Sequence, residues 1–305
     1  MKLTYDHVLV ASFMSWFDFT LVNNGGAFFN ASSLLYPTKS DYYSNQYLYS
    51  APYRPWAYDT GVSGVSVPTG VYDANGNFLT RDSGIYISFD KGVIGSNSPL
   101  AAPLSGSYTV REFDVFYTNE DEDTFISQTK FEHKPQTSMQ IPSTGLPYST
   151  RTFPCCAVKY NAGDNKDFMF GGTQNTVSQF RVLVVADSSF QIDGVLSIFR
   201  DSRLSNFTLL DPSQLPFNSV GDYKGGVPFN YLNNISTNPE NFIWISDVDC
   251  LKLSDAAATR VGQKLYTAMI DFTVERPRNV KLTFSPLSGY ADFRVTEDGY
   301  IRITE

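Results

Sequence analysis

The chain has 305 residues, of which 42% are hydrophobic, and it carries a formal net charge of −8. This apolar content excludes general disorder, no apolar run reaches the roughly 18 residues of a membrane-spanning helix, and the negative charge argues against nucleic-acid binding through a basic patch. The first residues show no small-residue cleavage site, so we expect no signal peptide.

The composition predicts a mostly β protein. Phe, Tyr and Trp make up 15% of the chain, and aromatic side chains favour strands and broad contact surfaces. The 21 Gly and 16 Pro are spread along the whole length, as turns between short strands require. We therefore expect an antiparallel β-sandwich or jelly-roll-like body, or two such bodies, with long loops and one short helix near residues 188–200.

The first 60 residues combine a strand-like segment with an aromatic-rich one. Apolar residues cluster over 7–22, which predicts a pair of strands or a strand and a short turn. Residues 30–60 follow neither a period of 2 nor one of 3.6, so we interpret them as a long irregular arm held by a partner. Tyr and Trp dominate such contacts, and the predicted interface residues are Tyr42, Tyr43, Tyr47, Tyr49, Tyr53 and Trp56.

Clearer strand signals follow the arm. Asn75-Gly76 lies between Val71-Tyr-Asp73 and Phe78-Leu-Thr80, and Asn-Gly between two β-prone runs predicts a hairpin. Residues 107–117 are typical of a long strand. Residues 123–131 are interpreted as its antiparallel partner, with an acidic tip between the two.

A proline-rich stretch divides the sequence. Four Pro lie within 134–154, and Pro interrupts both helices and strands. We interpret this stretch as a linker between an N-terminal β domain (1–133, with the arm) and a C-terminal β domain with one helix (155–305). The alternative is a single elaborated β domain.

The second half predicts a buried strand followed by a helix. Residues 178–186 are almost continuously apolar, as in a central strand. Asp187 or Ser188 is suited to cap the following helix, whose apolar stripe comprises Phe190, Val195, Leu196 and Phe199. Residues 211–240 are loop-rich. Further strands are predicted at 241–252, 263–275, 279–284, 290–296 and 300–304.

No motif in the sequence specifies a reaction. The acidic run 119–123 and the segment Asp73-Ala-Asn-Gly-Asn77 imitate calcium loops, but a solvated turn explains both better. The two His and three Cys lack the spacing of a metal site or a nucleophile pair, and the cysteines are expected to be reduced thiols. We therefore expect a protein that is not an enzyme and has no catalytic residues, metal or cofactor.

Several strings resemble structural proteins of tailed bacteriophages. In the second half they are Phe180-Arg-Val-Leu-Val-Val-Ala-Asp187, Phe199-Arg-Asp201, Phe207-Thr-Leu-Leu210, Leu215-Pro-Phe217, Gly221-Asp-Tyr-Lys-Gly225 and Phe229-Asn-Tyr231. In the first half they are Gly70-Val-Tyr72, Leu104-Ser-Gly-Ser-Tyr108 and Asn119-Glu120, together with the aromatic arm. The resemblance is to tail, neck or baseplate proteins, and no functional residues carry over from it.

This resemblance implies a structural subunit of a phage virion, assembled in the host cytoplasm. Its partners would be copies of itself and neighbouring virion proteins, joined through the arm and loops into a neck, tail or baseplate ring. Two alternatives stay open. One is a capsid or decoration protein built from jelly rolls, and the other is a carbohydrate- or receptor-binding module, with hydrolase activity if two carboxylates meet.

Overall fold

The structure, a computed structural model, describes residues 4–38, 46–132, 152–169, 173–217, 223–224, 227–253, 265–279, 293–295 and 301–303. Strands dominate these residues, in two large sheets and one small hairpin, and helices pack against them. The predicted mostly β fold with a sandwich-like body is confirmed.

The first sheet has seven antiparallel strands. In chain order they are β1 (Phe28–Thr38), β2 (Tyr47–Ser50), β3 (Gly70–Tyr72), β4 (Phe78–Thr80), β5 (Ile85–Ser88), β6 (Val93–Ser96) and β7 (Leu104–Arg111). Their order across the sheet is β4-β3-β7-β1-β2-β6-β5, so β4 and β5 are its two end strands. Only residues 81–84 connect these ends, a span of at most about 18 Å, whereas seven flat strands would extend over about 29 Å. The sheet is therefore curled.

The second sheet has six strands. They are β8 (Asp114–Tyr117), β9 (Cys155–Met169), β10 (Thr173–Ala186), β11 (Asn206–Thr208), β12 (Phe242–Lys252) and β13 (Tyr266–Asn279). Their order is β11-β12-β13-β10-β9-β8, with β8 and β9 parallel and the other pairs antiparallel. The central buried strand predicted at 178–186 is confirmed as part of β10. The small hairpin pairs β14 (Phe293–Val295) with β15 (Ile301–Ile303).

Three α-helices complete the described part of the fold: α1 (Tyr5–Asn23), α2 (Glu122–Glu132) and α3 (Ser189–Arg200). Helix α3 confirms the helix predicted near 188–200. Ser188 caps it through a bond from the Phe190 N–H (3.2 Å), and the buried stripe includes Val195, Leu196 and Phe199. Phe190 does not belong to that stripe, because it is 83% exposed.

The strands predicted over 7–22 are wrong, because this segment forms α1. The helix is buried on nearly every side, so its sequence lacks the amphipathic period that identifies a surface helix. Its small polar residues bond to its own backbone, as Ser12 Oγ donates to Val8 O (2.6 Å) and Thr20 Oγ1 to Trp16 O (2.7 Å). Aromatic rings of α1 stack against the second sheet and α3.

The strand predicted over 123–131 is also wrong, because α2 occupies it. Asp121 Oδ1 accepts the Thr124 N–H (2.7 Å) as an N-terminal cap, and Phe125 and Ile126 are buried against the second sheet. The long strand predicted at 107–117 is divided at Glu112-Phe113, where the chain passes from β7 in the first sheet to β8 in the second.

The irregular arm predicted over 30–60 is largely corrected by the structure. Its described parts include most of β1 and all of β2, both paired within the first sheet. Cross-strand pairing overrode a polar, proline-containing sequence that shows no clean alternation. The predicted linker 134–154 lies almost entirely outside the described residues, so the division into two domains stays a prediction. Helix α1 and β8, both from the first part, nevertheless pack against strands of the second.

Candidate functional site

The outer face of the first sheet carries a row of exposed apolar side chains. Tyr72 is paired with Phe78 on one side and with Ser105 on the other, and Ser105 is paired with Leu34. Paired residues point to the same face of a sheet, and Val71 next to Tyr72 points into the core. The exposed fractions are 51% for Tyr72, 46% for Phe78 and 44% for Leu34. Across the sheet the four residues follow in the order Leu34, Ser105, Tyr72 and Phe78. We call them the aromatic row, after the two rings at one end.

The hairpin between β3 and β4 fixes the two rings of this row. The carboxylate of Asp73 accepts the backbone N–H groups of Asn75 (2.9 Å) and Asn77 (2.8 Å) and the Asn77 side-chain N–H (3.0 Å). Gly76 supplies the left-handed turn residue (φ 82°). The Tyr72 and Phe78 ring centroids lie 4.9 Å apart at 48°, so the hairpin holds them together as one surface.

The same turn explains the segment that imitates a calcium loop. Hydrogen bonds from the Asn77 and Asn75 side chains and backbones lower the pKa of Asp73 from its usual range, so its carboxylate already serves the turn. The hairpin predicted at Asn75-Gly76 is confirmed. The exposure of its two rings was not predicted, although strict alternation from Val71 would have placed Tyr72 on the outer face.

The predicted interface residues fall into three groups. Tyr42 and Tyr43 lie outside the described residues. Tyr47 is 48% exposed, at the start of β2. Tyr49, Tyr53 and Trp56 pack into the chain's own body.

Two of the predicted interface residues, Tyr49 and Trp56, are buried within the chain itself, which corrects their prediction as interface residues. Trp56 is 0% exposed, its ring lies 4.7 Å from that of Tyr108, and its Nε1–H donates to Tyr53 O (3.0 Å). The hydroxyl of Tyr49 accepts the Leu100 N–H at 2.8 Å. Large aromatics of this kind are equally typical of cores and interfaces, so composition alone did not distinguish the two. Trp56 and Tyr49 support the fold and are covered by it.

A buried charged pair joins α1 to β7. Asp18 accepts a short hydrogen bond from Arg111 Nη1, and both residues are 1% exposed. Burial raises the pKa of the Asp18 carboxyl, and the charge of Arg111 opposes that shift. The guanidinium carbon lies 5.5 Å from the Tyr58 ring centroid and 5.7 Å from that of Tyr223. This arrangement neutralises a buried charge and connects α1 to the first sheet.

A second buried carboxylate fastens two loops together. Asp59 Oδ1 accepts the backbone N–H groups of Gly61 (2.7 Å) and Tyr231 (3.1 Å), and Thr60 N donates to Phe229 O (2.7 Å). Burial raises the pKa of Asp59 to about 6. The loop around Phe229 is thereby held against the residues that follow Trp56.

The acidic run at 119–123 has a structural role. Asp121 caps α2, and Glu122 forms an ion pair with Arg181 (3.1 Å). Across the part of the chain that the structure describes, no three His, Cys, Asp or Glu side chains lie close enough together to hold a metal ion. Cys155 and Cys156 are fully buried thiols, and burial raises the pKa of Cys156. His133 lies outside the described residues.

A polar ribbon extends the second sheet beyond its core. It consists of residues 161–169 of β9, 173–177 of β10 and 275–279 of β13, and we call it the ribbon. Residues 161–167 are all exposed. A β-bulge at the start of the ribbon, with Ala162 at φ 71°, redirects β9 as it leaves the body. Residues 161–167 of the ribbon and the aromatic row are two exposed surfaces of the described chain.

Comparisons with known proteins give no further assignment. No protein-family model matches the chain, and no curated protein matches it significantly. Of the helices within the described residues, none combines the length and the apolar character needed to cross a membrane. The structure thus defines a mostly β protein with an exposed aromatic row and a projecting polar ribbon.

Proposed function

We propose that the chain is a non-enzymatic structural subunit of a tailed-phage virion, which assembles with copies of itself and neighbouring virion proteins into a neck, tail or baseplate ring. The aromatic row carries this proposal. Three large apolar side chains, each more than two-fifths exposed, lie in one line on a rigid sheet. Exposed apolar patches of this kind mark interaction sites, and aromatic residues dominate interface energetics.

The position of the row supports assembly more than catalysis. It lies on the convex outer face of a curled sheet, whereas substrates of enzymes bind in concave sites. The resemblance of the sequence to tail, neck and baseplate proteins supports the same role. A body with one apolar and one polar contact surface also suits a subunit that has different neighbours on different sides.

The test measures assembly of the purified chain by native mass spectrometry and negative-stain imaging over micromolar concentrations. We expect closed rings of fixed copy number. Replacing both Tyr72 and Phe78 by Ser should weaken assembly by roughly 1,000-fold, since interface aromatics contribute about 2 kcal/mol each. Both side chains are exposed, so the fold should survive, as circular dichroism would show.

The matched control is Phe190→Ser, which removes an exposed ring from α3. This variant should assemble normally. Equal weakening by the control would mean that the row is not a specific interface. Trimers or extended sheets would favour the capsid or decoration alternative, and a strict monomer at all concentrations would contradict self-assembly.

One observation favours a second candidate. The paired rings of Tyr72 and Phe78 would also stack on sugar rings, as in a carbohydrate- or receptor-binding module. A glycan array at millimolar ligand concentration separates the two proposals. Binding that disappears in the Tyr72→Ser/Phe78→Ser variant would favour the sugar-binding module, and no binding would remove its support.

A further inference from the structure

The second sheet exposes one tryptophan on the face turned away from α1 and α3. Ile243 and Ile245 of β12 are fully buried in the shared core, so Trp244 between them points to the opposite, outer face. Its exposed fraction is 46%, whereas the chain's other two tryptophans, Trp16 and Trp56, are 7% and 0% exposed. Trp244 therefore presents a large aromatic surface to solvent in the middle of a strand that pairs on both sides.

The ring of Phe242 limits how the indole of Trp244 can turn. Phe242 lies two residues before Trp244 and so shares its face of β12. The two ring centroids are 6.4 Å apart and the ring planes meet at 81°, which is the edge-to-face arrangement that aromatic pairs favour. The indole is thereby held in one orientation, and a ligand would not have to order it.

A carboxylate lies directly across from this indole. Glu275 of β13 is the register partner of Trp244, and side chains in facing positions have Cβ atoms about 4.5–5.5 Å apart. Glu275 Oε2 accepts a hydrogen bond from Asn175 Nδ2 of β10 (2.8 Å), which orients the carboxylate. A carboxylate has about four lone-pair sites, so this bond leaves acceptor positions for a further donor.

The charge of Glu275 sets it apart from other carboxylates on the same face. Asp271 Oδ1 pairs with Arg181 Nε at 2.7 Å. Asp247 Oδ1 pairs with Arg203 Nε at 3.2 Å. Within the part of the chain that the structure describes, Glu275 takes part in no ion pair. The site thus combines a negative charge with the face of an aromatic ring, and both attract a cation.

An arginine side chain matches both groups at once. Its planar guanidinium stacks on aromatic faces and its N–H fork fits a carboxylate, whereas the ammonium group of lysine is a compact point charge. The chain contains each contact elsewhere. Arg181 Nε and Nη2 donate to the two oxygens of Asp271 at 2.7 and 2.8 Å. The guanidinium carbon of Arg276 lies 5.6 Å from the ring centroid of Tyr5.

We propose that Trp244 and Glu275 form a docking site for an arginine side chain of a partner protein. The guanidinium stacks on the indole and donates its N–H fork to the carboxylate. The net charge of −8 favours a basic partner surface, and the indole beside the carboxylate selects arginine within that surface. The site lies on the second sheet and uses no residue of the aromatic row, so it goes beyond the proposed virion role.

Titration of the full chain into a blocked glycyl-arginyl-glycine peptide, followed by nuclear magnetic resonance, tests the site. The ring current of the indole should move the δ-methylene proton resonances of the peptide arginine upfield, saturably, with a dissociation constant on the order of 1 mM. A peptide with lysine in place of arginine should bind at least about threefold more weakly. A peptide with citrulline, which has nearly the same shape and no charge, should show no saturable shift.

Three variants of the chain locate the site. Glu275→Gln removes the charge and keeps the shape, and it should weaken binding of the arginine peptide by about tenfold. Asp249→Asn removes one charge from another exposed position of β12 and should leave the dissociation constant unchanged. Trp244→Leu should abolish the upfield shift, and circular dichroism should show an intact fold because the side chain is exposed.

Several results would overturn the proposal. They are equal binding of the citrulline or lysine peptide, equal weakening by Glu275→Gln and Asp249→Asn, and no saturable shift up to about 50 mM peptide. The virion proposal is tested apart from this one, because Tyr72→Ser/Phe78→Ser should lose ring assembly and bind the arginine peptide normally. Loss of peptide binding in that variant would contradict a separate site at Trp244.

Discussion

At the scale of single residues, Asp59 is a buried carboxylate whose described hydrogen bonds come from backbone N–H groups. It is 4% exposed, yet its Oδ1 accepts only backbone N–H groups in the described contacts. Burial raises its pKa from 3.8 to about 6 in the folded chain. A raised folded-state pKa means that Asp59 favours folding at pH below about 4, and this contribution is lost as pH rises through about 6.

We therefore expect Asp59→Asn to stabilise the protein at pH 7.5. The amide oxygen can accept the same two N–H groups without a buried charge. The shift of two pKa units corresponds to roughly 3 kcal/mol, and desolvation of the new N–H₂ group offsets part of it, which leaves about 1–2 kcal/mol. Urea unfolding at pH 7.5 and 4.5 measures the effect, which should shrink at the lower pH.

The control variant, Asp73→Asn, should change the stability of the protein in the opposite direction. The pKa of the exposed Asp73 is lowered, first by its hydrogen bond from the Asn77 side chain. Its contribution to stability is therefore present above the unfolded pKa and is lost as pH falls. Asp73→Asn should destabilise the protein at pH 7.5. A stabilising effect of both variants would indicate a general response to reduced negative charge and would contradict the assignment to Asp59.

The Asp18–Arg111 pair predicts a non-additive result. Asp18→Ala leaves a buried guanidinium without its counter-ion and should lower the free energy of unfolding by about 3–5 kcal/mol. The double variant Asp18→Leu/Arg111→Met removes both charges and should be less destabilised than Asp18→Ala alone. Denaturant unfolding of the two variants measures the difference. A double variant that is the less stable of the two would show that the pair stabilises the core in its own right.

At the scale of elements, two glycines distinguish close packing from helix propensity. A Cβ atom on Gly70 would overlap the carbonyl oxygen of Leu79 and lie 2.8 Å from Phe78 Cζ, whereas one on Gly194 in α3 would meet nothing within 4 Å. Gly70→Ala should therefore destabilise the β3–β4 hairpin by about 1–3 kcal/mol. Gly194→Ala should stabilise α3 by about 0.5–1 kcal/mol.

Thermal unfolding of both glycine variants provides the measurement. Gly70→Ala should also weaken ring assembly, because it displaces the Phe78 ring from the aromatic row. Equal stability changes of one sign in the two variants would mean that packing at Gly70 does not constrain the hairpin.

The sequence predicted those elements whose signals are local. The Asn75-Gly76 hairpin depends on turn chemistry, and α3 combines an N-cap with an apolar stripe, so both were identified. Helix α1 was missed because a helix surrounded by core has apolar residues on all faces. Helix α2 was missed because its few apolar residues are adjacent and give no clear period. The exposure of Tyr72 and the burial of Trp56 depend on long-range strand pairing, which no local pattern shows.

At the scale of the whole molecule, the two parts of the chain share one core. The ring of Phe13 in α1 stacks on Phe180 of β10 at 4.1 Å, and Phe17 stacks on Phe199 of α3 at 4.0 Å. A single cluster of buried residues includes strands of both large sheets. The edge strand β8 of the second sheet comes from the first part of the chain as well.

This shared core predicts what happens when the chain is cleaved or when its second part is produced alone. A fragment of residues 155–305 would expose the surface that α1 covers and lack β8, so we expect it not to fold cooperatively, although the intact chain should unfold in one transition. Cleavage within 134–150 should instead leave both pieces associated, since α1 and β8 of the first piece contact the second through described residues outside that stretch. Calorimetry and nuclear magnetic resonance spectra of the 155–305 fragment measure whether it folds cooperatively. A dispersed spectrum and a cooperative transition for 155–305 alone would support two independent domains, with α1 serving as an added contact between them.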